Sequence, residues 1–422
     1  MKRSGKIFTT AMLAITLMMP AMGVSANDGD SVAKNGNNEK FRVLVESNNE
    51  KNLSNAKEQY GVQWDFAGEG FTTEMNEKQY NALKKNKNLN LEKVPELEIA
   101  TTSSKPEATY NAMAASQSTP WGIKAIYNNN TLTRTSGGSG INIAVLDTGV
   151  NINHPDLRNN VEQCKDFTVG TTFTNNSCTD RQGHGTHVAG SALADGGTGN
   201  GVYGVAPDAD LWAYKVLGDN GSGYADDIAA AIRHAADQAT ALNTKVVINM
   251  SLGSSGESSL ITNAVNYAYN KGVLVIAAAG NEGPYQGSIG YPGALVNAVA
   301  VAALENRVQN GTLRVADFSS RGYSRTDGDY VIQKGDVEIS APGASIYSTW
   351  YNGGYSTISG TSMASPHVAG LAAKIWATSP SASNVAVRGE LQRLAKAKDI
   401  KSGTGAGTGD DYASGFGFAT VQ

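Results

Sequence analysis

The sequence predicts an α/β protein: a mostly parallel sheet flanked by helices, preceded by a smaller α+β unit. Three observations carry this. Continuous apolar runs such as Ile141 to Leu146 and Val273 to Ala279 suit strands covered on both faces. Helical segments alternate with those runs, the pattern of strand–helix–strand crossovers. Charge is dense up to residue 99 and sparse after residue 114, where Gly and Ala take over, so two kinds of unit meet in one chain.

At the start, Lys2, Arg3 and Lys6 precede an apolar run from Ile7 to Met22, and Val24-Ser25-Ala26 supplies small residues for cleavage. This is the pattern of an export signal over residues 1–26; Pro20 and the shortness of the run argue against a membrane anchor. Residues 27–38 read as an Asn/Gly/Asp-rich linker. In the charged unit that follows, with a folded core at 39–99, Phe41 to Val45 alternates like a strand. Glu74 to Leu83 reads as a helix and Leu89 to Ile99 as a final strand. Residues 100–113, rich in Thr, Ser, Pro and Ala, read as a cleavable linker. The third region, 114–422, is expected to place strands at Ile141 to Leu146, Leu211 to Leu217, Lys245 to Met250, Val273 to Ala279 and Ala298 to Ala303. Helices are expected at Ala225 to Leu242, Ser258 to Lys271, Ser362 to Ala377 and Ser383 to Ala397. Sheets of this kind bind ligands beyond the carboxyl ends of their strands, and Asp147 falls at such an end.

The 422 residues carry a formal net charge of -4, with 14 basic and 14 acidic residues up to 113 and 20 basic against 24 acidic after it. No basic footprint points to nucleic acid. The weakly acidic second part is a solvated surface or a set of cation sites. No later stretch is long and apolar enough to span a bilayer, so the expected product is soluble and outside the cytoplasm. Cys164 and Cys178 are the two cysteines. In an exported chain a close pair suggests a disulfide; with no further Cys and no flanking His, a metal site is the weaker reading.

Three segments carry chemistry: Val145-Leu146-Asp147-Thr148-Gly149, Gly183-His184-Gly185-Thr186-His187, and Gly360-Thr361-Ser362-Met363-Ala364. Peptide hydrolysis by serine needs a hydroxyl nucleophile, an imidazole to take its proton and a carboxylate to hold the imidazole's tautomer. Singly, each residue has a plainer role: a turn Asp, a His pair with metal spacing but no Glu between, a helix-capping Ser. Together, in the order Asp, His, Ser on a parallel α/β pattern, they point to catalysis. A base of this kind works as neutral imidazole, which titrates near ~6.5 when unperturbed, so activity should fall as pH drops through that range.

These segments resemble the bacterial subtilisin family over roughly residues 39–422, and the finer likeness is to sphericase and the cold-adapted Bacillus subtilisins. The resemblance implies a subtilisin-like parallel sheet and a ferredoxin-like inhibitory prosegment, which also aids folding. It implies Ser362 as nucleophile, His184 as base and then acid, Asp147 as orienting carboxylate and Asn281 as oxyanion donor with the Ser362 N–H. Gly221-Ser222-Gly223 and Ser251-Leu252-Gly253 match two strands that sandwich an extended polypeptide substrate. Gly290 matches the floor of the primary pocket, implying large apolar residues before the cut, and Glu282 matches its rim. Gln117, Asp156, Asp195, Asn200 and Val202 match a structural Ca²⁺ site, although the loop from Asp195 to Val202 carries one extra residue. Asp180, Asp219, Asp226, Asp227, Asp327, Asp329, Asp336, Asp410 and Asp411 read as solvated carboxylates or further cation sites.

The resemblance further implies a self-processing precursor and a monomer, free of nucleic acid and membrane; the cut is expected at Met113–Ala114, where Met113 suits an apolar pocket. Two other readings stand beside it. A catalytically dead binding protein is disfavoured by the intact triad. An α/β-hydrolase esterase requires Gly-x-Ser-x-Gly and the order Ser, acid, His, and both are missing.

Overall fold

The computed structural model describes residues 39–103, 106–110 and 115–421. The export segment, the linker at 27–38 and the Met113–Ala114 junction lie outside the described residues. A nine-stranded sheet carries the larger unit. Its centre runs Ala298–Gln309, Leu274–Ala278, Lys245–Met250, Ile141–Asp147, Asp210–Lys215 and Val161–Asp166, every neighbour parallel. Ile339–Pro342 adds a parallel strand beside Ala298–Gln309, while Thr312–Val315 and Thr174–Asn175 pair antiparallel at the two ends.

Side chains alternate along these strands, so each strand feeds two cores. Ile143, Val145, Val247, Ile276 and Val301 point to one face and pack with the helices His184–Leu193 and Thr361–Thr378. Ala144, Leu146, Ile248, Met250 and Val275 point to the other, against Ala225–Ala241 and Ser259–Asn270. This double coverage is why the strands read as unbroken apolar runs. The Cys164–Cys178 disulfide, with Cα atoms 5.2 Å apart, closes the loop after Val161–Asp166.

The N-terminal unit is an antiparallel sheet in the order Trp64–Asp65, Phe71–Asn76, Lys40–Glu46, Asn90–Lys93, with helices Glu50–Tyr60 and Glu77–Leu83. Two expectations change here. The helix expected from Glu74 starts at Glu77, because Glu74 and Met75 stay paired with Arg42 and Phe41. Asn76 then closes a capping box with Gln79 and starts the helix. The single strand expected from Leu89 to Ile99 is two, Asn90–Lys93 and Glu96–Ile99. Pro95 divides them: it has no N–H for a ladder, and its carbonyl accepts from Ala225 N–H at 2.9 Å across the junction between the units.

Candidate active site

Asp147 ends its strand, His184 opens the helix His184–Leu193, and Ser362 is the second residue of the helix Thr361–Thr378. All three are buried. His184 Nδ1 lies 2.8 and 3.0 Å from the two carboxylate oxygens of Asp147, so the carboxylate holds a proton on that nitrogen and leaves Nε2 to accept one. Nε2 is buried without a hydrogen bond, and Ser362 Oγ donates to Ser251 O at 2.9 Å. The structure therefore joins Asp147 to His184 and brings Ser362 to the cleft with its hydroxyl turned to the neighbouring strand. Such links often tighten only in the reacting complex.

Several residues to which sequence reading gave another role or none hold this arrangement. Asp180 is a buried carboxylate filled by donors. Its Oδ1 accepts from Thr148 Oγ1, Gln182 N–H and Gly183 N–H, and its Oδ2 from Thr186 N–H and Oγ1, at 2.6–3.0 Å. Thr148 N–H donates to Asp147 Oδ1 at 2.7 Å, and Thr148 Oγ1 accepts from Gly185 N–H at 3.0 Å. Asp180 thereby ties the strand end bearing Asp147 to the helix start bearing His184. Asp180 lies three residues before the N-cap Gly183, outside the position where a capping Asp is read from sequence, so no local signal pointed to it. Lys215, also buried, adds an ammonium bonded to Thr148 O at 2.6 Å and Asp219 at 3.0 Å.

Behind the nucleophile, Pro366 sits inside the helix and has no N–H for the Ser362 carbonyl four residues earlier. Ser251 Oγ serves that carbonyl instead, at 2.7 Å, and is itself bonded by Asn249 Nδ2, whose Oδ1 accepts from Ser365 Oγ. Asn281 Oδ1 accepts from Thr361 N–H at 2.9 Å and Thr361 Oγ1 at 3.1 Å, which leaves its Nδ2 as the donating end. The second histidine, His187, is a neutral core residue: full burial lowers its pKa to about 3, and Nε2 lies 2.9 Å from Ile346 O.

The cleft is filled by the protein's own chain. Glu96–Ile99 lies antiparallel between Ser222–Tyr224 and Leu252–Gly253, as the middle strand of three. Gly223 faces Leu97, Ser222 and Gly253 face Glu98, and Leu252 faces Ile99. Ile99 N–H donates to Gly221 O at 3.0 Å and Ala100 N–H to Ser251 O at 3.2 Å. All six residues expected to line an extended peptide thus border this strand. Gly290 N–H donates to Ala279 O at 2.9 Å beside the Asn281 loop, and Glu282 on that loop is exposed.

Around the expected cation site, Asp156 Oδ2 accepts from Val202 N–H at 2.8 Å and Tyr355 OH at 3.0 Å. Burial pushes its pKa up. Asp195 Oδ1 accepts from Gly197 N–H and Oδ2 from Asn159, while Asp195 N–H donates to Asp156 O. A Cβ at Gly201 would fall 1.9 Å from Asp156 Oδ1, so the loop wraps the carboxylate closely. Ala115 N–H bonds Asn200 O and Tyr203 N–H bonds Ser118 O, which brings the exposed Gln117 beside the loop. Among the described residues no three His, Cys, Asp or Glu side chains cluster as a metal site, so carbonyl and amide oxygens would complete the shell.

Four of the aspartates expected to be solvated are buried instead. Asp180 is described above, and Asp411 caps a turn through Gly407, Ala413 and Ser414. Asp226 and Asp227, in the first turn of Ala225–Ala241, meet the N-terminal unit. Arg42 bridges them at 2.7 and 2.8 Å, Thr72 Oγ1 donates to Asp226 and Trp64 Nε1 to Asp227. Reading the catalytic region alone could not find this, because the partners lie more than 150 residues away.

A chain clamped as a strand over a serine and an imidazole is the arrangement of a peptide-cleaving hydrolase. The subtilase family model matches residues 138–417, and the chain belongs to that family; it is a subtilisin-type serine endopeptidase. It is 86% identical over 422 residues to a subtilisin of Bacillus sp. (strain TA39), covering 100% of both chains. The solved structure of S41 psychrophilic protease shares 85% identity at a TM-score of 0.73, covering 73% of this chain and 100% of that one. Sphericase shares 76% identity at a TM-score of 0.73 with the same coverage.

Proposed function

We propose that this chain is the secreted, self-processing precursor of a broad-specificity endopeptidase that acts through Asp147, His184 and Ser362. The single observation that carries the reading is the Glu96–Ile99 strand, which lies where a substrate would and ends with Ala100 O accepting from Ser362 N–H at 3.1 Å. In the reaction, His184 takes the Ser362 proton as the hydroxyl attacks a peptide carbonyl. Asp147 stabilises the imidazolium. The Ser362 N–H and Asn281 Nδ2 receive the oxyanion, and the helix start at Thr361 adds its positive end. Water then resolves the acyl-enzyme.

Gly290 at the pocket floor supports a preference for large apolar residues before the cut, and Glu282 supports tolerance of basic ones. Glu282→Ser should reduce cleavage after Lys and Arg more than after Leu or Phe. The region 39–99 acts as prosegment: inhibitor in the cleft and folding aid for a sheet whose strands are distant in sequence. The proposed mature peptidase is the monomeric domain from about Ala114 to residue 422. Calcium, held by Asp156, Asp195 and oxygens of Gln117, Asn200 and Val202, would tie the mature N-terminus to the loop after His184–Leu193 and supply stability rather than chemistry. Export is supported by the Lys2, Arg3, Lys6 and Ile7 to Met22 pattern; among the described residues no helix is long and apolar enough to cross a membrane.

Ser362→Ala tests the reading. Produced in a protease-free host, the variant should accumulate as the uncut chain while wild type yields an active peptidase. Processing of the variant at the wild-type rate would refute self-processing.

A further inference from the structure

The bond presented to Ser362 is not the one expected from the apolar pocket. Ala100 is held on its N-terminal side by the Ser251 carbonyl and at its own carbonyl by Ser362 N–H. Beyond it, Thr102 N–H donates to Ser359 O at 3.0 Å, and Thr101 Oγ1 to the same oxygen at 3.0 Å. The backbone is therefore gripped on both sides of Ala100–Thr101. Gly360 lies beneath it: a Cβ there would sit 2.5 Å from Ala100 O and 2.9 Å from Thr101 Cα, so only glycine allows this approach.

The chain then runs along the strand Tyr355–Ile358, which precedes Ser359. Glu107 N–H donates to Thr357 O at 2.9 Å, and Ala108–Tyr110 pairs antiparallel with Tyr355, Ser356 and Thr357. Ser356 Oγ donates to Ala108 O, and the Glu107 carboxylate accepts from Ser345 Oγ and Ser359 Oγ. The segment from Thr101 to Met113, 13 residues, thus lies beyond the presented bond, and its described part is anchored rather than loose.

We propose that Ala100–Thr101 is the first bond this enzyme cuts in its own chain, and that the segment from Thr101 to about Met113 leaves in a separate, later cut. The proposal rests on the serine-endopeptidase reading above. Ser362 Oγ turns from Ser251 O to His184 Nε2, gives up its proton there and bonds to the Ala100 carbonyl carbon. The carbon–nitrogen bond to Thr101 breaks, and the proton passes from His184 to that nitrogen, freeing an α-amine. Water then attacks the Ala100 ester; one proton returns through His184 to Ser362 Oγ, and Ala100 is left as a carboxylic acid. One water is consumed in all. Glu96–Ile99 keeps both neighbouring strands, so the first product stays docked and inhibits. The new Thr101 end stays on Ser359 and Thr357. Ala100 offers one methyl to a pocket suited to larger groups, which favours a first cut that happens once, within a held chain, over rapid turnover of free substrate.

The test follows the full-length precursor through refolding, with samples quenched at intervals and fragments identified by intact mass and N-terminal sequencing. The expected first pair is a fragment ending at Ala100 and a chain starting at Thr101; the start near Ala114 comes later. A first new terminus at Ala114, with no Thr101 chain before it, overturns the proposal. Thr101→Pro replaces the leaving amide by a tertiary one and should slow the first cut about a hundredfold through misplaced geometry. An unchanged rate counts against the assigned bond. Ser362→Ala in the same assay separates the two layers. Cutting of Ala100–Thr101 in that variant at the wild-type rate defeats self-processing itself. Wild type that cuts itself only elsewhere keeps that reading and overturns the bond.

Discussion

The two units solve the burial problem differently. The catalytic region covers both faces of its sheet with its own helices. The N-terminal unit covers one. Val43, Val45, Leu53, Ala56, Phe71, Met75, Tyr80 and Leu83 form its private core. The opposite side of the same strands sends Leu44, together with Phe66, Val94 and Leu97, into the core of the catalytic region. Arg42, on that outward side, ends between Asp226 and Asp227. A domain of about 60 residues is marginal even with a complete core. This one completes itself only by docking, which suits the proposed role of a prosegment that is later removed, whereas the catalytic region covers both faces with its own helices.

The comparison breaks most visibly at Arg42. Removing it leaves two adjacent buried carboxylates without their cation, a loss of about 3–5 kcal/mol for a broken buried pair. Arg42→Ala should therefore weaken retention of the cut N-terminal unit by at least about a hundredfold, read as its dissociation rate from the processed complex, while the mature enzyme keeps its activity. Retention equal to wild type would mean that the apolar face alone holds the units together.

Within the catalytic region, Asp180 gives the next largest effect. Asp180→Asn replaces an acceptor-only group with one that must turn a donor toward other donors. Displacement of His184 relative to Asp147 should lower kcat about a hundredfold with KM little changed. A structural loss alone would reduce the titratable active sites instead, so kcat is read per titrated site.

The disulfide tests completeness more gently. Replacing Cys164 and Cys178 together by Ser removes a loop constraint worth about 3 kcal/mol in the chain-entropy model. The mature domain should lose several degrees of thermal midpoint and keep its kcat. The Trp64 ring lies 6.0 Å from that of Phe167, tilted by 32°, and Gln63 bonds Gly170 O; Phe167 and Gly170 are within that closed loop. Faster release of the N-terminal unit is therefore expected as well.

The smallest effect is one of pH. Burial, and then Asp226, raise the pKa of Asp227 to about 7 in the docked state. A carboxyl raised on docking binds a proton that the free form does not. Docking should therefore be tightest below the ordinary carboxylate range, about 4, and loosen as pH rises to about 7. Arg42, Asp226 and Trp64 face the same carboxyl, Thr72 donates to the neighbouring Asp226, Tyr224 lies under Arg42, and Glu96 lies near Tyr224. Asp227→Asn should flatten the release rate between pH 4 and pH 7; a slope as steep as wild type would assign it to another of these groups.

The same contrast explains what was legible in the sequence. The parallel strands could be read because double burial writes an unbroken apolar run, as in Ile141–Asp147 and Leu274–Ala278. The helix Ala225–Ala241 was legible from its alanines and early aspartates, but the use of those aspartates was not. Asp226 and Asp227 look solvated until a distant Arg42 arrives. In the N-terminal unit the residues that end elements mattered more than periodicity: Asn76 delayed a helix by three residues, and Pro95 split a strand. The motif residues proposed for the site stood out because their order and neighbours are specific. Asp180, Thr148 and Asn249 were missed because each acts through backbone and hydroxyl contacts that no local pattern reports. The cut expected at Met113–Ala114 came from side-chain preference, which says nothing of the backbone pairing that holds Ala100 at Ser362.

The most direct measurement is labelling of Ser362 by a serine-directed phosphonylating reagent, before and after the N-terminal unit has left. The account predicts that the docked complex stays unlabelled while Glu96–Ala100 fills the cleft, and that the released enzyme takes one label per chain, on Ser362. Labelling of the docked complex at the released rate, or a label on any other residue, would contradict it.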